Sequence, residues 1–269
     1  MRKKAGKRKT ASEKIRIPER IENMSVFVMA DTHLSLTCDK PMDVFGSRWS
    51  GHTEKIRERW LETVRDEDTV VIPGDLSWGI DLDEAREDLR FINDLPGEKI
   101  LLKGNHDYWW DTVSKMTAFN EENGFSHFRF LHNNALRAED FILCGSRGWY
   151  TEDKKVVTAN EVDTKKIVAR EVGRLKTSLD AGKALHDDVL SAEGKDLEML
   201  VFLHFPPYYR NYICDEIILE LYRYNISRCY FGHIHGTYDV PAVREYMDIE
   251  FSLISADFLD FRPLRIEKR

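Results

Sequence analysis

The sequence has no C-x-x-C pair. Its four cysteines (Cys38, Cys144, Cys214 and Cys229) are scattered, which argues against a zinc knuckle or a disulfide framework and for a reducing, cytoplasmic setting. Each reads as a small packed side chain. No apolar run approaches the ~18 residues of a membrane span. There is no internal repeat, and no low-complexity linker apart from the N-terminal tail. A chain of 269 residues with 42% hydrophobic side chains is therefore expected to form one domain, residues 24–269, with an elaboration. Net positive charge is confined to the start. Residues 1–23 hold nine Lys/Arg against three Glu, a net of +6, which leaves −13 on the remainder of a chain whose total is −7. No apolar segment follows that basic stretch, as a signal peptide would require. It reads as a disordered, solvated tail or an extension ahead of a start at Met24, with a nucleic-acid arm as the alternative. The acidic body argues against polyanions held over a wide surface, so nucleic acid is not the expected partner.

What is present is a recurring pattern: apolar runs that end in metal-ligating side chains. "SVFVMADTH" ends at Asp31 and His33, "TVVIPGD" at Gly74-Asp75, "KILLKGNHD" at Asn105, His106 and Asp107, "MLVFLHFPP" at His204, and "CYFGHIHG" at His233 and His235. Near-continuous apolar runs indicate strands covered on both faces. Helical segments alternate with them. Ile56, Trp60, Leu61 and Val64 share one face, Asp81 and Glu84 form a capping box, and Pro96-Gly97 ends the helix that follows. The alternation predicts an α/β fold, in which ligands bind beyond the carboxyl ends of the strands. From about 155 to 195, Val168, Val172, Leu175 and Leu179 recur at helical spacing. This predicts one long amphipathic helix or two, with a heptad-like partner helix as the alternative. "FSLISADFLDF" and "PLRIE" read as closing strands.

Five of the nine histidines fall at these strand ends. Singly, each reads as a hydrogen-bonded core residue. Together and unpaired they would be a stack of buried polar costs. A pair of divalent ions would satisfy them, and mixed carboxylate, imidazole and amide donors suit Mn, Fe or Zn, with Mn favoured. One Asp can bridge two ions about 4 Å apart, lowering the pKa of a bridging water for attack at phosphorus.

D-x-H, G-D, G-N-H-D, a strand-terminal His and G-H-x-H, in that order over residues 31–235, resemble the five motifs of the calcineurin-like metallophosphoesterases. The resemblance implies a four-layer α-β-β-α sandwich of two mixed sheets flanked by helices. It implies that Asp31, His33 and His235 hold one metal, and Asn105, His204 and His233 the other, with Asp75 bridging. It further implies that His106 contacts phosphate and protonates the leaving oxygen while Asp107 sets its tautomer. The phosphoprotein-phosphatase branch extends G-D to G-D-x-V-D-R-G. Here the run is Gly74-Asp75-Leu76-Ser77-Trp78-Gly79, without that aspartate and arginine, which argues against protein dephosphorylation, and Asp107 in the third motif points to the broader group of small phosphohydrolases.

The expected activity is hydrolysis of a small phosphomonoester or phosphodiester by a metal-bridging hydroxide. The alternatives are a nuclease of the same family or a metal-free scaffold. Arg147 is the candidate for gripping phosphate, with a surface arginine as the alternative. Arg48, Trp49 and His52, Trp149 and Tyr150, and Tyr208, Tyr209 and Arg210 are further candidates for shaping the pocket. Trp109 and Trp110 read as core or rim packing, or as a platform for a ring.

Overall fold

The computed structural model describes residues 24–149 and 157–269, of which 157–163 by backbone alone. The readings of residues 1–23 and of Tyr150 lie outside the described residues. Along the chain run strands β1 (Val26–Val28), β2 (Thr69–Pro73), β3 (Glu98–Leu102), β4 (Phe128–Phe130), β5 (Leu136–Ala138), β6 (Phe141–Ser146), β7 (Glu198–Leu203), β8 (Tyr208–Tyr209), β9 (Tyr212–Ile213), β10 (Arg228–Phe231), β11 (Val243–Tyr246), β12 (Ile249–Leu253) and β13 (Leu264–Ile266). The helices are α1 (His52–Thr63), α2 (Arg86–Asn93), α3 (Val113–Asn123), α4 (Val157–Glu193) and α5 (Asp215–Arg223).

Two large mixed sheets result. One has the order β13-β1-β2-β3-β4, parallel except for β13 at its edge. The other has the order β11-β12-β10-β7-β6-β5, with a parallel centre and antiparallel strands at both edges. A single parallel bridge, Ala30 to Ser255, links chain segments just beyond β1 and β12.

Side chains alternate across a strand, so a run that is apolar throughout has to be buried on both faces. In β2, Val71 joins Val28, Ile100, Leu143, Leu200 and Phe202 in the core between the sheets. Its neighbours Val70 and Ile72 face outward and pack with Ile56 and Trp60 of α1 and Leu89 and Ile92 of α2. The second sheet does the same: Ile142, Cys144, Val201 and Cys229 pack with Leu175 and Leu179 of α4 and Ile217 and Leu221 of α5. Three apolar layers separate four layers of secondary structure, the expected α-β-β-α sandwich.

Details differ from the sequence reading. On α1, Ile56 and Trp60 are buried, but Leu61 is 59% exposed, because the buried stripe follows positions 56, 60 and 64. The Asp81 and Glu84 bonds form, with Glu84 N–H donating to Asp81 Oδ1 and Ile80 N–H to Glu84 Oε2. They close a turn ahead of α2, which begins only at Arg86. The long amphipathic segment is a single helix, α4, laid along β6 and α5. Of the two closing segments, the first is β12 only as far as Leu253, and "ADFLDF" is a turn that continues from it.

Candidate metal centre

The carboxyl ends of β1, β2, β3, β7 and β10 converge, and each delivers its polar cluster to one place. The backbone there is unusual. Asp31 (φ 61°), His33 (φ 45°), Asp75 (φ 52°) and His233 (φ 68°) all lie in the left-handed region, which side-chain-bearing residues adopt only uncommonly, and here four of them meet in one place. Packing is equally tight. A Cβ on Gly104 would fall on the Asp75 carboxylate, and one on Gly232 on the Asp31 carboxylate, so the glycines that precede Asn105 and His233 leave room for the acids.

The side chains form two donor sets, Asp31, His33 and His235 in one and Asp75, His204 and His233 in the other; within each, the ligand atoms lie within 4.8 Å of one another. Asn105 joins the second through its Oδ1, 2.7 Å from His204 Nε2. Asp75 Oδ2 stands between the sets, 3.8 Å from His33 Nε2 and 3.4 Å from His204 Nε2. Across the first set, His33 Nε2 and His235 Nε2 face each other at 3.2 Å, while Asp31 Oδ1 is buried without a hydrogen-bond partner among the described residues. Facing imidazole nitrogens and an orphaned buried carboxylate oxygen are what a cation would satisfy. The residues fit a pair of divalent ions.

Without ions, burial and mutual charge set the protonation. Burial opposes ionisation of Asp75, but His204 and His33 outweigh it and hold the carboxyl below the usual range. Burial lifts Asp31 to about 6 against the pull of His235 and His204. His204 is desolvated too, yet Asp75 and then Asp31 raise it to about 9. His233, desolvated and facing His204, is pushed down to about 3.

His106 is half-buried, and its backbone N–H donates to Asp75 Oδ1 at 2.7 Å. Burial holds its ring below the ordinary histidine range, and its Nδ1 has no hydrogen-bond partner among the described residues. The expected tautomer contact from Asp107 is therefore not made. Asp107 instead accepts from the backbone N–H groups of Gly104, Asp75 and Leu76 and from Trp109 Nε1, at 2.7 to 3.0 Å. The Ser77 N–H adds a fifth donor at 3.4 Å, and with these around one buried carboxylate Asp107 ties the loop after β2 to the loop after β3.

Arg147 is also placed differently. Its Nη2 lies 3.2 Å from Glu171 Oε1 on α4, and it lines a separate cavity of about 490 Å³. The cavity beside the metal ligands, about 130 Å³, is walled by Met42, Phe45, Trp49 and Trp78 together with the histidines. Of the other candidates, Trp49 belongs to that wall. Arg48 is bound to the Asp257 carbonyl, and His52 is buried with its Nε2 3.3 Å from the His33 carbonyl oxygen. Trp149 packs on Phe205, Tyr208 on Tyr246, and Arg210 over the Tyr209 ring. Trp109 and Trp110 are buried as packing residues.

Two functional neighbours went unread in the sequence. Trp78 stacks on His33 with ring centroids 4.9 Å apart and lies 4.3 Å from His106. Its signal was its place three residues after Asp75. Asp257, in the turn after β12, accepts from His235 Nδ1 at 2.8 Å, from Gly236 N–H at 2.9 Å and from Tyr238 Oη at 3.0 Å. No pattern in the sequence separates it from the acids around it.

The sequence model of the family described as calcineurin-like phosphoesterase matches residues 24–237. Among solved structures, a phosphopantetheinyl hydrolase from Mycobacterium tuberculosis is similar at 12% identity, the match covering 92% of this chain and 97% of that one with a TM-score of 0.51. A protein of unknown function from Aquifex aeolicus is similar at 16% identity, covering 90% and 96%, with a TM-score of 0.47. No curated protein matches the sequence.

Proposed function

Because the chain belongs to the calcineurin-like phosphoesterases, and is thereby a metal-dependent phosphoesterase, we propose that it hydrolyses a phosphoester of a small molecule at a dinuclear site. In this reading Asp31, His33 and His235 hold one ion and Asn105, His204 and His233 the other, with Asp75 shared. The observation that carries it is the position of Asp75 Oδ2, within 3.8 Å of a histidine nitrogen from each set. Bound divalent ions supply Lewis acidity and lower the pKa of a water nucleophile; the donor chemistry suits Mn, Fe or Zn, and we favour Mn.

The chain's own groups supply the rest. His106 lines the cavity beside Asp75, and we assign it to contact the phosphoryl group and give a proton to the leaving oxygen. Asp107 positions it through the backbone. Trp78, Trp49 and Phe45 form an apolar wall that excludes water and suits a compact, ring-bearing leaving group. Neither the phosphoprotein-phosphatase arginine nor Arg147 reaches this wall, which supports small esters over phosphoproteins.

The test pairs metal analysis with turnover of a monoester and a diester of the same leaving group, in wild type and Asp75→Asn. The variant is expected to lose metal and turnover together. Two equivalents of metal with near-normal turnover would sink the shared-ligand assignment. Preferential cleavage of duplex DNA over every small ester would promote the nuclease alternative.

A further inference from the structure

The cavity that receives Arg147 is chemically unlike the metal site. Lys103, Arg147, Arg170 and Arg174 line it against two carboxylates, Asp111 and Glu171, an excess of two positive charges in a chain whose net charge is −7. Such a concentration is costly unless something offsets it. Glu171 does so in part. It is fully buried, and its Oε1 accepts from Arg174 Nη1 at 2.7 Å and Arg147 Nη2 at 3.2 Å, so one oxygen holds two guanidinium groups side by side. The network is incomplete. Among the described residues, Arg147 Nε and the indole Nε1 of Trp110, another wall residue, are buried donors without hydrogen-bond partners, and Glu171 Oε2 has none either.

The cavity also shares its framework with the metal site. Lys103 stands two residues before Asn105, a span of roughly 7 Å at most. The Arg147 carbonyl accepts from the backbone N–H groups of His204, at 3.2 Å, and Phe205, at 2.9 Å. The loop that presents Asn105 therefore also presents Lys103, and the loop that presents His204 is bonded to the one that carries Arg147, at the same carboxyl end of the sheets.

We propose that this cavity is a subsite for a second anionic group, a phosphate or pyrophosphate, carried by the same substrate whose phosphoester meets the metal ligands. Guanidinium groups held in a row offer several fixed N–H donors to phosphate oxygens, which a lone surface lysine does not. The substrate class narrows to small molecules with two separated anionic groups and an apolar portion that lies against Trp78. This narrowing rests on the phosphoesterase reading. The subsite itself does not, and its test is separable.

The first arm needs no turnover. Inorganic pyrophosphate is titrated calorimetrically onto metal-free protein at low and high salt. Wild type is expected to bind, more weakly at high salt, and Arg170→Gln/Arg174→Gln to bind less well by on the order of tenfold or more. Should that variant unfold, Arg170→Gln alone, at a side chain 57% exposed, keeps the comparison available. No binding, or binding unchanged by the substitutions, overturns the subsite. The second arm compares kcat/KM for adenosine 5′-monophosphate and adenosine 3′,5′-bisphosphate with the metal-loaded enzyme. Wild type is expected to prefer the bisphosphate through KM, and the double variant to lose that preference. If pyrophosphate binds but wild type shows no preference, the assignment to the substrate's second anion is overturned. If neither ester is turned over while pyrophosphate binds, the phosphoesterase reading has failed and the anion subsite stands.

Discussion

His106 and Asp257 show how differently single residues can serve one site. His106 carries a ring nitrogen with no partner among the described residues and a pKa lowered by burial, so its protonated fraction grows as pH falls. If it gives a proton to the leaving oxygen, His106→Ala keeps its metals and loses roughly 10²- to 10⁴-fold in rate with a poor leaving group. The ratio of wild-type to variant rate should be larger at about pH 6 than at about pH 8, and smaller for an acidic leaving group. A ratio indifferent to pH and to leaving group would leave only phosphate positioning. Asp257 works through His235 instead. Its bond to Nδ1 turns Nε2 toward the first donor set and fixes the tautomer that can ligate. Asp257→Asn is expected to lower metal affinity by about 10- to 100-fold, with metal-saturated kcat changed far less; a titration by metal-dependent turnover separates the two. His106 was legible because it sits in a motif. Asp257 was not, because an acid that orients a ligand needs only to be near it in space, and the chain brings it there through the bridge of Ala30 to Ser255.

Among elements, α4 spans Val157 to Glu193 and bears on both the core and the basic cavity. Leu175 and Leu179 are buried against the second sheet, as their spacing foretold, while Glu171, one turn before Leu175, and Arg174, the residue before it, turn to the cavity. Spacing reports which face is apolar but not what an acid on the margin of that face will meet, so Arg147 was legible as a cation near a strand end and its partner Glu171 was not. The helix lies close to the sheet at Gly182, where a Cβ would meet Cys144 Sγ, with the Met199 Cε methyl also within contact. Gly182→Ala should gain helix propensity of roughly 1 kcal/mol but lose about 1–3 kcal/mol to overpacking. A lower Tm in thermal unfolding is expected, and an unchanged or raised one would mean the helix can step back from the sheet without cost. The strands themselves were the most legible elements, since a run apolar at every position has few places to go except between two covering layers.

Across the whole molecule, metal uptake is coupled to protons. At about pH 7 the metal-free site holds His204 protonated, because Asp75 and Asp31 overcome its burial and lift it to about 9. A protonated imidazole cannot ligate, so loading must expel that proton, and apparent affinity should rise with pH until His204 deprotonates unaided. Calorimetry in buffers of differing ionisation enthalpy should show release of about one proton per chain near pH 7; no buffer dependence would contradict the protonation assigned to His204. The α/β alternation and the placing of the five clusters at strand ends could be read from the residues themselves, whereas the four-layer sandwich was legible only through the resemblance of the five motifs to a family. The apolar wall and the basic cavity could not be read, because each is assembled from loops that meet only in three dimensions. The left-handed backbone at Asp31, His33, Asp75 and His233 has a consequence on another timescale. Each such residue costs of order 1–3 kcal/mol where glycine would cost little, although Asp31 and Asp75 return part of it by accepting from the backbone N–H groups of His233 and His106. In a lineage freed from the need for these ligands, His33 and His233 would be the first to drift, towards glycine or asparagine, while the two acids would be retained longer for the loops they hold together.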